Sequence, residues 1–145
     1  MCSSDLANQL PASPVVMSEA DVQRLFGDVI STLPPPPEHF TLHFLFESDE
    51  LTEESRAVLG RILDAIRKRP ASEVTVIGHT DTAGTPAGNF ELGLKRAQMI
   101  YKLLVGEGLA TSLIEVTSHG EGDPLVRTAD EELEPRNRRV EISIR

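Results

Sequence analysis

A strand, a glycine-rich loop and a helix follow one another between residues 74 and 97, and this order constrains the fold more than any other feature of the chain. The stretch has the sequence VTVIGHTDTAGTPAGNFELGLKRA. Residues 74–77 predict a short apolar strand that ends at Gly78. An amphipathic pattern then predicts a helix at residues 89–105. A polar loop held between two rigid elements is a common scaffold for a binding site.

Two opposite charges lie on either side of this loop. Asp81 comes just after the predicted strand, and Arg96 lies two turns into the predicted helix. A guanidinium binds a carboxylate through two parallel hydrogen bonds, and a carboxylate binds an ammonium. We therefore expect the pair to lie in an open pocket and to bind a ligand that carries both charges. Taken singly, each residue also fits a structural role, Asp81 as a turn cap and Arg96 as a solvated helix residue.

The rest of the chain supplies the other elements of one α/β layer structure. Apolar residues recur at helical or strand spacing in five more segments: a helix that begins after Ser18, a strand at 40–46, a helix at 52–69 with Thr52 as its N-cap, and strands at 114–118 and 138–144. The folded part therefore has the order β-α-β-α-β-β. It predicts an α/β (α+β) sandwich in which two helices cover one face of a four-stranded mixed sheet, preceded by a short N-terminal helix. The two strand–helix–strand units predict parallel pairs, and the last strand can pair antiparallel.

Four consecutive prolines at 34–37 predict an extended spacer. We divide the chain into an N-terminal tail, residues 1–38, and a folded domain, residues 39–145. We expect residues 1–17 and the proline run to pack little. Cys2 is the single cysteine, so no internal disulfide can form. The string CSSDL resembles translated sequencing-adapter sequence, which would make residues 1–6 foreign to the gene; a lipid-carrying cysteine of a mature lipoprotein is the alternative.

Composition and missing motifs exclude several classes of function. A net charge of -9 makes the chain a poor partner for nucleic acid, and no apolar run is long enough to span a membrane. The sequence has no GxSxG motif, no phosphate-binding loop, and no histidine spacing typical of a zinc protease. We therefore expect no enzymatic activity, no cofactor and no metal. We expect His79 to be a hydrogen-bonded loop anchor.

Two motifs resemble the signatures of one family. The first consists of GHTD at 78–81, Gly84, Asn89, Leu92 and RA at 96–97, and the second is NRRVEI at 137–142, about 40 residues later. Together they resemble the OmpA-like peptidoglycan-binding domains, and the resemblance covers about residues 40–145. Gly93 departs from the pattern because the family usually has serine there. The loop 128–135 also lacks the usual Gly-Arg before the second motif.

The resemblance implies a non-enzymatic module that binds peptidoglycan through the meso-diaminopimelate of the stem peptide. The free end of this residue carries an ammonium and a carboxylate on one carbon, and the family binds them with the residues that match Asp81 and Arg96. The predicted binding residues are Asp81, Arg96, Thr80, Asn89, Leu92, Glu47, Ser48, Asp49 and Arg138. We expect Asn89 to cap the helix as well, and for Arg138 an ion pair with the acidic loop 119–136 is the alternative to ligand contact.

The implied role is to tether an outer-membrane or lipid-anchored envelope protein to the cell wall. The implied location is the periplasm or the outer membrane, and other envelope proteins are further candidate partners. One alternative is a degenerate OmpA-like module that has lost the ligand and binds a protein partner. A cell-wall hydrolase is the other, and the missing catalytic residues speak against it.

Overall fold

The computed structural model describes residues 14–45, 48, 50–69 and 72–145. The chain divides into two compact units, Met1–Pro35 and Pro36–Arg145. The first contains helix α1, Glu19–Thr32, whose N-cap Ser18 accepts a hydrogen bond from the amide of Asp21. No residue of α1 is buried, and residues 14–17 are exposed. The predictions for Cys2 and the rest of residues 1–13 lie outside the described residues.

The second unit confirms the predicted order β-α-β-α-β-β and the four-stranded mixed sheet. Its elements are β1 Glu38–His43, α2 Glu53–Lys68, β2 Val74–His79, α3 Pro86–Gly106, β3 Ile114–Gly120 and β4 Arg139–Ile144. Single 3-10 turns, Thr111–Leu113 and Pro135–Asn137, precede the last two strands. In the described part of the chain no helix is both long and apolar enough to cross a membrane.

The sheet has the strand order β1-β4-β2-β3, with β4 antiparallel to both of its neighbours. The predicted parallel pairing is confirmed for β2 and β3 but is wrong for β1 and β2, because β4 lies between them. Val140 at the start of β4 pairs with Gly78 near the end of β2. The segment just before β4 therefore lies beside the loop that follows β2, and this brings Arg138 close to Asp81.

The core lies between the sheet and the two helices. Alternate residues of β4 are buried, as expected for a strand with one covered face. Helix α2 contributes Ile62 and Ala65, and α3 contributes Ala97, Ile100 and Leu104. The predicted cap of α2 is confirmed, because the Thr52 hydroxyl accepts a hydrogen bond from the amide of Ser55. Helix α3 packs directly against β2, so the loop between them joins two elements that are fixed relative to each other.

The start of α3 differs from the prediction. The helix begins at Pro86, and the hydroxyl of the N-cap Thr85 accepts a hydrogen bond from the amide of Gly88 at 3.2 Å. Proline suits this position because the first amides of a helix have no partner inside it. The predicted capping role of Asn89 is therefore wrong, and Asn89 is a buried residue of the first turn. Strand β1 also ends earlier than predicted, at His43.

Strand β2 continues through Gly78, where the sequence predicts its end. A Cβ atom at Gly78 would overlap the carbonyl oxygen of Gly93, so the backbone of α3 packs directly on the strand. A Cβ at Gly93 would in turn overlap the hydroxyl of Ser118 on β3. That hydroxyl donates to the carbonyl of Gly78 and accepts from the amide of Gly120. Ser118 thus fills the space that the family's usual serine at position 93 would need.

We expect Gly78→Ala to destabilise the domain, because its methyl group would meet backbone that cannot rotate away. Overpacking of this kind costs roughly 1–3 kcal/mol and occasionally more. Gly60→Ala is the matched control, since Gly60 lies on α2 with no atom within 4 Å of an added Cβ. In a helix this control change should stabilise by up to about 1 kcal/mol. Urea unfolding of both variants checks this, and equal stabilities would contradict the close packing of β2 on α3.

Candidate ligand-binding pocket

A pocket of about 230 Å³ lies between the loop after β2, the first half of α3 and the loop before β4. It brings together residues that are far apart in the sequence. Its described lining residues are Asp81, Ala83, Gly84, Asn89, Leu92, Arg96, Leu133 and Arg138. Five of these lining residues were predicted to bind the ligand: Asp81, Asn89, Leu92, Arg96 and Arg138.

Asp81 follows the end of β2 and is only 6% exposed. Its Oδ2 accepts hydrogen bonds from Nη1 of Arg138 at 2.9 Å and from the amide of Glu134 at 3.2 Å. The predicted open position of Asp81 is therefore wrong, because the chain folds the loop before β4 over it. Arg138 forms an ion pair, which was one of the two roles expected from the sequence. The partner that the structure shows is Asp81, whereas the sequence interpretation expected the acidic loop.

Arg96 is completely buried, and it is the largest such side chain in the part of the chain that the structure describes. Its guanidinium carbon lies 5.2 Å from the centroid of the Phe44 ring, a cation–π contact. Nη2 donates to the carbonyl oxygen of Ser48 at 3.3 Å. The expectation of an open pocket is wrong for Arg96 too, because Phe44 and the residue 48 backbone cover it. Arg96 thus lines the pocket with a side chain that is fully enclosed by the protein.

The predicted wall from the β1–α2 loop is described only in part. Ser48 reaches the site through its backbone carbonyl, by the contact with Arg96. Glu47 and Asp49 lie outside the described residues, so their roles stay predictions. Thr80 is buried, and its side chain is not among the described residues that line the pocket. Its amide donates to the carbonyl of Gly120, which ties the loop after β2 to the end of β3.

Asn89 connects the first turn of α3 to the opposite loop. Its side-chain amide donates to the carboxylate of Glu121 at 2.5 Å. Because Asn89 also lines the pocket, this contact fixes the pocket wall.

The long acidic loop after β3 is ordered by contacts with the loop after β2. The hydroxyl of Thr82 donates to the carbonyl of Ala129 at 2.7 Å and accepts from the amide of Glu132 at 3.1 Å. The carboxylate of Glu131 accepts from the amide of Gly84 at 3.0 Å. These bonds hold the acidic loop as one wall of the pocket.

The sequence indicated no site role for two residues in and just after this loop. Leu133 lines the pocket and is 55% exposed. Asn137, the first residue of the second motif, is completely buried, and its side chain bonds both the amide and the carbonyl of Val126, at 2.9 and 2.7 Å. An apolar residue in a polar loop and an asparagine before a strand are both common, so the contacts of these two residues could not be predicted without the fold.

Three of the described residues that line the pocket carry a formal charge. Asp81 contributes one negative charge, whereas Arg96 and Arg138 contribute two positive ones. Glu134 lies nearby, but its side chain is engaged by Arg136, and this hydrogen bond lowers the pKa of Glu134 to about 2. The described lining residues thus sum to a single positive charge, and the acidic loop beside them supplies further carboxylates, those of Glu121 and Glu131 among them.

His79 does not act as the expected hydrogen-bonded loop anchor. It is the last residue of β2, and neither of its ring nitrogens has a hydrogen-bond partner among the described residues. Its ring packs edge-on against His119, with centroids 5.2 Å apart. Burial lowers the pKa of His79, and the positive charge of Arg139 lowers it further.

Comparison with known proteins assigns the family. Residues 43–138, which contain β2, α3 and the pocket, match the family model described as OmpA family. The chain belongs to the OmpA family. Its OmpA-family domain is similar to the peptidoglycan-associated lipoprotein of Haemophilus influenzae, with 33% identity over 103 residues that cover 71% of this chain and 67% of that protein.

Other relatives of the OmpA-family domain are longer proteins. Outer membrane porin F of Pseudomonas fluorescens is 35% identical over 101 residues, which are 70% of this chain but only 31% of the porin. Among solved structures, the peptidoglycan-associated lipoprotein of Burkholderia pseudomallei has a TM-score of 0.65 and 27% identity, and the match covers 72% of this chain and 89% of that one. The chain thus spans about a third of the porin and most of the solved lipoprotein domain.

Proposed function

We propose that the OmpA-family domain of this chain binds peptidoglycan non-covalently, through the free end of diaminopimelate in the stem peptide. The observation that carries the proposal is the pocket in which Asp81, Arg96 and Arg138 lie together. The names of the two lipoproteins similar to this chain denote association with peptidoglycan, and they support peptidoglycan as the ligand.

Asp81 is the proposed partner of the ligand's ammonium. Arg138 and the amide of Glu134 both bond to Oδ2 of this carboxylate. A carboxylate offers about four lone-pair positions, so it accepts a further donor without losing these bonds. The existing pair with Arg138 holds the Asp81 side chain in place, and this lowers the entropy cost of binding.

Arg96 is the proposed partner of the ligand's carboxylate. Its Nη2 now donates to the carbonyl of Ser48, and a charged carboxylate is the stronger acceptor. We infer that the ligand takes over this donor and that the Ser48 backbone moves aside. Arg138 lines the same pocket and adds a second positive charge for the same group.

The methylene carbons of diaminopimelate need apolar surface between the two charged groups. Leu92 on α3 and Leu133 on the acidic loop line the pocket and provide this apolar surface.

In this proposal the domain tethers an outer-membrane or lipid-anchored envelope protein to the wall and acts in the periplasm. Binding requires no chemical step, which fits a binding module and not an enzyme.

Sedimentation with purified sacculi tests the proposal. The chain should sediment with intact sacculi from a diaminopimelate-containing wall and stay in solution with sacculi whose stem peptides have been removed by an amidase. Bovine serum albumin serves as the non-binding control.

Two results would contradict the proposal. Failure to sediment with intact sacculi would favour a module that binds a protein partner. Release of soluble muropeptides from the sacculi would indicate a hydrolase.

A further inference from the structure

Two histidines and an aspartate converge at the end of the β2–β3 pair, outside the candidate pocket. One ligand atom from each of His79, His119 and Asp123 lies within 4.8 Å of the others. None of the three lines the candidate pocket. Sequence spacing did not indicate this cluster, because β2 and β3 are neighbours in the sheet but His79 and His119 are 40 residues apart.

The fold holds the three residues in place. His79 pairs with Gly120 in the parallel β2–β3 ladder, and the register of this pairing shifts between Gly78 and His79. A tight turn follows, in which the amide of Gly122 donates to the carbonyl of His119 at 2.9 Å. Arg139 on β4 then donates to the backbone carbonyl of Asp123 at 3.2 Å. The cluster is therefore supported by three strands and a closed turn.

His79 provides the independent sign that this cluster takes a ligand. It is 1% exposed, and among the described residues neither ring nitrogen has a hydrogen-bond partner. Its nearest charged oxygen, Oε1 of Glu141, is 3.9 Å from Nε2, too far for a hydrogen bond. A buried polar group without a partner is costly and rare in native proteins. Here one of its ring nitrogens faces His119 and Asp123.

We propose that His79, His119 and Asp123 bind a divalent metal ion of the Zn²⁺ class. Two imidazole nitrogens and one carboxylate oxygen are a common three-residue ligand set for zinc, and water fills the fourth position. The proposal is independent of peptidoglycan binding, and it assigns the ion no catalytic role. The bound ion would fasten the turn after β3 to the end of β2.

The present distances are compatible with closure around an ion. Ligand atoms about 2.0–2.2 Å from a tetrahedral zinc lie roughly 3.3–3.6 Å apart. Nδ1 of His119 and Oδ2 of Asp123 are already 3.6 Å apart. These two side chains are 44% and 66% exposed, so they can rotate toward buried His79 without disturbing the core.

Glu141 and Arg139 lie beside the cluster and set its electrostatics. Arg139 donates to Oε1 of Glu141 through Nε at 2.7 Å, and its Nη2 lies 2.7 Å from the same oxygen. This pair is neutral overall, so the charge of Asp123 is the one left to attract a cation.

Zinc titration of the full chain tests the site. The protein is prepared without a histidine tag and freed of metal with a chelator, in a Cys2→Ser background because a thiol is itself a zinc ligand. We expect one equivalent of Zn²⁺ to bind, measured by competition with a chromophoric chelator. Binding to the folded state should also raise the Tm.

His119→Ala and Asp123→Ala are the test variants, because both side chains are partly exposed and the fold should tolerate their loss. Each should weaken zinc binding at least about tenfold, since even loss of a supporting residue commonly costs 10–100-fold. His39→Ala is the matched control, an exposed histidine on β1 outside the cluster. Absence of zinc binding, or affinity unchanged in either test variant, overturns the proposal. Equal weakening by His39→Ala would do the same.

Discussion

Arg96→Ala is expected to abolish most of the binding to diaminopimelate peptides. Truncating one partner of a buried, hydrogen-bonded charge pair commonly costs roughly 2–5 kcal/mol. At about 1.4 kcal/mol per factor of ten, this weakens binding at least about 30-fold. Calorimetric titration of the variant with a free meso-diaminopimelate peptide measures the loss.

Because Arg96 is completely buried against Phe44, Arg96→Ala should lower stability as well as affinity. Arg96→Lys separates the two effects. It keeps the positive charge and much of the buried stem but loses the two-pronged geometry, so it should bind weakly while folded. Thermal unfolding confirms that each variant is folded at the temperature of the titration.

Arg61→Ala is the matched control for this prediction. Its guanidinium carbon lies 6.0 Å from the ring centroid of Phe40, a contact of the same kind, but it does not line the candidate pocket. This variant should keep wild-type affinity. Full binding by a folded Arg96→Lys variant, or equal losses in Arg96→Lys and Arg61→Ala, would contradict the role of Arg96.

Asp81→Ala is expected to lower both affinity and stability, because Asp81 is the proposed ammonium partner and also half of a buried ion pair. The Asp81 and Arg138 side chains are 8% and 10% exposed, and their atoms lie 2.9 Å apart. Removing one partner of a buried pair costs up to about 3–5 kcal/mol of folding free energy. Urea unfolding measures this change, and titration with the same peptide measures the loss of binding.

The pair of Asp64 with Arg67 is the control, since both side chains are 65% exposed. Asp64→Ala should change stability by no more than about 1 kcal/mol and should leave binding unchanged. Similar stabilities of Asp81→Ala and Asp64→Ala would show that the buried pair does not support the loop before β4. Unchanged binding by a folded Asp81→Ala variant would remove Asp81 from the site.

The layer arrangement was predictable because it depends on local periodicity. The alternation in β4 and the apolar stripe of α2 are local patterns, and the structure confirms both elements. The strand order was not predictable in the same way. Whether β4 pairs at the edge or enters between β1 and β2 depends on long-range competition among apolar faces, which no local pattern records.

The residues of the pocket were predictable, but their burial was not. Asp81 and Arg96 were identified from their positions on either side of the loop and Arg138 from motif resemblance, and the fold brings all three to one pocket. Their exposure depends on Phe44 and on the loop before β4, which close over them only in three dimensions. The early start of α3 at Pro86 was predictable, because Thr85 followed by proline is a recognisable helix start, although we assigned both residues to the loop.

Titration of the intact chain with three stem peptides tests the central claim most directly. The peptides carry free meso-diaminopimelate, its amidated form, or lysine, so that only the first offers both an ammonium and a carboxylate. We expect clear preference for the first peptide, because a single exposed ion pair is worth only about 0–1 kcal/mol. The preference should shrink at high salt as screening grows. Equal affinity for all three peptides would contradict the claim, since Arg96 would then not bind the ligand's carboxylate.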